Sequence, residues 1–60
     1  MSIRMLAVEL YRVMRQIEEL KKSVKNLPPE SPERQTLEEQ LRKAIAEEYH
    51  LRKLIEGAKD

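Results

Sequence analysis

Residues 24–37 read Val24-Lys25-Asn26-Leu27-Pro28-Pro29-Glu30-Ser31-Pro32-Glu33-Arg34-Gln35-Thr36-Leu37, and this stretch decides the architecture. Pro28 and Pro29 supply no backbone N–H and push the residues before them out of the α region, so a helix arriving from the N-terminal side must stop around Asn26 or Leu27. The chain then restarts with a strong helix-initiation pattern: Ser31 as N-cap, Pro32 at the first helical position and Glu33 in the positive first turn. A connection this short is typical of neighbouring helices in bundles. A single continuous helix is disfavoured by the two adjacent prolines.

Reading backwards from the turn, Leu27, Val24, Leu20, Ile17, Val13, Leu10, Leu6 and Ile3 recur at alternating spacings of three and four, a sustained heptad seam. With Ser2 as its N-cap, this predicts a first helix over about residues 2–27, about 36 Å long. Reading forwards, Leu37, Leu41, Ala44, Glu48, Leu51, Ile55 and Ala58 form a second seam, with one carboxylate among its members. The second helix is expected over about residues 32–57, with Gly57 ending it and Ala58-Lys59-Asp60 as a frayed tail. If the chain doubles back through the turn at 28–31, the seams meet in one register: Val24 with Leu37, Leu20 with Leu41, Ile17 with Ala44, Val13 with Glu48, Leu10 with Leu51, Leu6 with Ile55 and Ile3 with Ala58. The residue numbers in every pair have the same sum. The expected fold is therefore all-α, a single coiled-coil-like antiparallel hairpin spanning residues 1–60.

Composition agrees and narrows the function classes. Among 60 residues, 12 Lys plus Arg face 11 Asp plus Glu, a net charge of +1 that removes bulk charge as a reason to bind nucleic acid or membranes. Strand-forming aromatics are scarce, with two Tyr and no Phe or Trp. The absence of Cys excludes disulfides and thiolate metal sites. Met1 to Val8 carries Arg4 and is soon followed by Glu9, Arg12 and Arg15, unlike a secretory signal, and nothing approaches the roughly 18 apolar residues of a membrane span. The expected location is cytoplasmic. Nucleophilic catalysis is also not expected: Ser2 and Ser31 read as caps, leaving Ser23, and no Gly-rich loop is present to cradle phosphate.

Two helices in one layer cannot enclose their seam. Ala7 and Met14 flank the first seam, and Ile45, Tyr49 and Leu54 flank the second, so the apolar surface is wider than one hairpin needs. A homodimer or higher homo-oligomer, most simply a symmetric dimer forming an antiparallel four-helix bundle, is the expected assembly. Met1, Met5 and Val8 project from the side of the first helix away from its seam. They are candidates for contact with a neighbouring subunit or another protein, methionines filling irregular gaps. The expected function is that of a non-enzymatic, self-associating interaction or adaptor module without a cofactor.

Three further features carry alternatives. Glu48 lies in the seam opposite Val13, where an unpaired carboxylate is costly, and Arg52 one turn on is its natural partner. Such a polar seam can fix register or oligomeric state. The run Glu47-Glu48-Tyr49-His50 resembles the helix-borne motif of ferritin-like proteins, including the short two-helix encapsulated type that builds iron sites between subunits. That resemblance implies metal binding by Glu47 and His50, with Glu48 alongside and a third carboxylate from the first helix, whereas the register puts Met14 and Tyr11 opposite those two positions. Lastly, residues 1–26 hold six basic and three acidic side chains while residues 27–60 hold six basic and eight acidic. This unevenness reads as complementary flanks, or alternatively as a weak nucleic-acid surface through Arg4, Arg12, Arg15 and Lys22.

Overall fold

The computed structural model describes residues 2–58, which form an all-α antiparallel hairpin of α1 (Ile3–Lys25) and α2 (Pro32–Ala58). It measures 46 × 14 × 13 Å, one layer of two helices. Met1, Lys59 and Asp60, and with them the expected contact at Met1 and the end of the expected tail, lie outside the described residues.

Three of the four helix ends have an identifiable cause. The Ser2 side chain accepts a hydrogen bond from the Met5 N–H at 3.2 Å, satisfying one of the donors that a helix N-terminus leaves unpaired. At the other end of α1, the Asn26 N–H is shared between the Lys22 and Ser23 carbonyls, both at 3.2 Å, and the Leu27 N–H reaches Val24 O. The last turn thus tightens before the prolines, with Lys22 and Lys25 beside the negative helix end. Pro28 O accepts from Ser31 N–H at 3.1 Å, closing a turn in which Pro29 takes the position its fixed φ suits. The Arg34 guanidinium then reaches back across the turn to donate to the Leu27 carbonyl at 3.3 Å. α2 opens with Glu33 in its first turn, and the Ser31 carbonyl accepts from Arg34 N–H at 3.1 Å.

Gly57 does not end α2. The helix runs through it to Ala58, and Gly57 keeps an ordinary negative φ, so the left-handed C-cap geometry that glycine permits is not used.

The core is the double seam. Leu6, Val13, Ile17 and Leu20 from α1 and Ala44 and Leu51 from α2 are buried, with Leu10, Leu37, Leu41 and Ile55 packed against them. Each open side of the hairpin carries a groove between the helices, one lined by Gln16 and Ala44 and the other by Leu10 and Ile55. The outermost layer does not close: Ile3 and Ala58 are both exposed.

Candidate functional site

Helical spacing sorts the remaining apolar residues into stripes, since positions four and seven apart lie above one another. Ala7, Tyr11 and Met14 form such a stripe on α1, and Ile45, Tyr49 and Arg52 form one on α2. One contact shows that the two stripes share a side of the hairpin: Arg52 Nη2 lies 3.7 Å from Met14 Sδ. On that side Tyr11 is 61% exposed, Met14 40%, Ile45 46% and Tyr49 62%. Leu10, Arg52, Ile55 and Glu56 line the shallow groove between the helices there. The result is an exposed apolar flank on both helices, with Arg52 and Glu56 set into the groove between them. Lys53 Nζ sits over the Tyr49 ring, 5.1 Å from its centre, as a cation on an aromatic face.

Glu48 and Arg52 form an ion pair on this flank. Arg52 Nε donates to Glu48 Oε2 at 2.8 Å, a charge-assisted hydrogen bond between side chains one turn apart. The Glu48 side chain retains a quarter of its exposure and Arg52 about half, so Glu48 is partly withdrawn from water at the edge of the seam while Arg52 bridges it to Met14. Replacing the carboxylate with a hydrocarbon should therefore help packing against Val13, while Arg52 stays hydrated. We expect Glu48→Leu to keep the helices intact and raise the melting temperature by about 4–8 °C, the shift produced by about 1 kcal/mol in a domain this small. Thermal denaturation followed by circular dichroism checks this, alongside mass by light scattering. Unchanged melting and unchanged mass would remove any role for Glu48 in tuning the seam.

The opposite side of the hairpin has a different character. Its groove is lined by Gln16, Gln40, Lys43, Ala44 and Glu47. Leu54, seven residues after Glu47, belongs to this side, as does Met5, which shares a stripe with Glu9, Arg12 and Gln16. The flanking residues Ile45, Tyr49 and Leu54 thus divide between two sides: Ile45 and Tyr49 join Met14, and Leu54 joins Met5 near the open end. Val8 faces outward from the back of α1 and is exposed.

Glu47 and His50 are both exposed and stand one turn apart. The groove beside Glu47 offers the neutral amides of Gln16 and Gln40 and the cation of Lys43, not a carboxylate from α1. Among the described residues, no three His, Cys, Asp or Glu side chains come together as a metal would require.

Arg15 and Lys22 share the outward stripe of α1 with Val8, whereas Arg4 and Arg12 lie to either side of it and Glu19 borders it. Arg12 lies 3.7 Å from Glu9. Hydrogen bonding to Tyr11, with the Tyr11 and Glu19 charges behind it, favours the charged form of Arg15 and raises its already high pKa. Among the described residues, no helix is long and apolar enough to cross a membrane. No protein-family model, curated protein or solved structure matches the chain.

Proposed function

We propose that this protein is a non-enzymatic, self-associating helical hairpin, a homodimer closing into an antiparallel four-helix bundle and serving as a protein–protein interaction or adaptor module in the cytoplasm. The observation that carries this reading is the apolar flank formed by Tyr11, Met14, Ile45 and Tyr49, each at least 40% exposed in the single hairpin. A two-helix layer cannot cover that flank with its own residues, and a second copy brings an identical stripe to meet it. Aromatic and methionine side chains are the types enriched at such contacts, because they bury much area with few polar atoms. The outward Met5 and Val8 then remain available to another protein.

Size-exclusion chromatography with light scattering, run over a concentration series, tests the proposal. The expected mass is twice the 7.1 kDa of one chain, declining toward one chain on dilution. A folded hairpin of single-chain mass at every concentration would overturn it.

A further inference from the structure

We infer that the two hairpins pair with their Pro28-Pro29 turns at the same end of the bundle. This rests on the dimer proposed above and goes further, because a helical hairpin can meet its copy with the turns together or at opposite ends.

The argument lies in the charges that continue the apolar flank. On α1 the stripe Arg4, Tyr11, Glu18, Lys25 repeats every seven residues just outside Ala7 and Met14. On α2 the stripe Arg42, Tyr49, Glu56 does the same beside Ile45 and Arg52. Both belong to the side marked by the Arg52–Met14 contact. With the turns together, the two-fold axis runs along the hairpin, and α1 of one copy lies beside α2 of the other at the same height as in its own chain. Arg4 then meets Glu56 of the second copy, Tyr11 meets Tyr49, and Glu18 meets Arg42. One stripe inward, Met14 meets Ile45 and Lys21 meets Glu38. Every charged pair is of opposite sign, Tyr11 and Met14 meet apolar partners, and Arg52 lies over the small Ala7.

With the turns at opposite ends and the hairpins fully overlapped, each helix lies against its own copy, reversed. Arg4 now faces Lys25, Tyr11 faces Glu18, and Glu38 faces Glu56. Sliding the copies until Tyr11 meets Tyr11 relieves these clashes, but it leaves the turn-side part of both hairpins uncovered. Charges of this kind contribute little to affinity and much to the choice between arrangements.

The absence of Cys makes the test direct. Glu30→Cys places a single nitroxide label in the exposed turn, outside both helices, and pulsed electron resonance on the full chain measures the distance between the two labels. Neighbouring helices are 8–10 Å apart. With label arms added, turns at one end give a distance below about 35 Å, whereas opposite ends separate the labels by about the 46 Å length of the hairpin or more. Light scattering of the same labelled sample supplies its mass. A dimeric mass with the short distance supports the inference. A dimeric mass with only the long distance overturns the shared-end arrangement and leaves self-association standing, whereas a single-chain mass overturns both.

Discussion

Ile17→Ala should lower the melting temperature by about 15 °C or more and remove much of the helical signal at ambient temperature. Ile17 is 5% exposed near the middle of α1, and its facing residue across the seam, Ala44, is 6% exposed. The layer is closed by one large and one small side chain. After truncation two alanines would face each other, and the helices could not close the gap because Val13 and Leu20 on either side hold them apart. Large-to-small changes at such sites cost about 2–5 kcal/mol. A chain of this size has a total stability of only about 3–9 kcal/mol, so the loss approaches the whole. Circular dichroism melts of the variant against the parent chain check this. A melting temperature within a few degrees of the parent would show that the centre of the seam does not carry the fold.

Ile45→Glu should separate the copies while sparing the hairpin. Ile45 is 46% exposed in the single hairpin, and Glu is a better helix former than Ile, so α2 itself loses little. In the proposed dimer, however, the substitution sets two carboxylates into apolar contact, one from each copy, opposite Met14. Burying each unpaired charge costs at least about 2 kcal/mol, and the two together raise the dissociation constant by roughly 1,000-fold. Light scattering at a concentration where the parent is dimeric should return single-chain mass. Leu54→Glu is the matched control, because Leu54 lies on the side away from Met14, and its mass should match that of the parent. The reverse pattern would move the interface to the Met5 and Leu54 side.

The fold was legible because its signals are one-dimensional. Prolines act on their immediate neighbours, and the alternating spacing from Ile3 to Leu27 marks a stripe whatever it packs against. The Glu48–Arg52 pair was legible for the same reason, since both residues lie on one helix a turn apart. Flank assignment was not. Spacing along α2 sets Leu54 on one side of the seam and Ile45 and Tyr49 on the other, but it does not tell which side of α1 each joins. That pairing needs a contact between helices, and Arg52 on Met14 provides it. The reach of Arg34 to the Leu27 carbonyl was hidden likewise, because a side chain spanning a turn to a backbone oxygen leaves no periodic trace. Gly57 misled because its usual role at helix ends is a preference, and here its backbone stays helical.

The closed turn also limits how copies of this chain can trade material. One route to domain exchange would straighten the hairpin into a continuous helix and lend α2 to its neighbour. Pro28 and Pro29 would then stand inside a helix, each costing about 3 kcal/mol or more, and the Arg34 link to Leu27 would be lost. Exchange of α2 through such a straightened rod is therefore opposed by the turn itself.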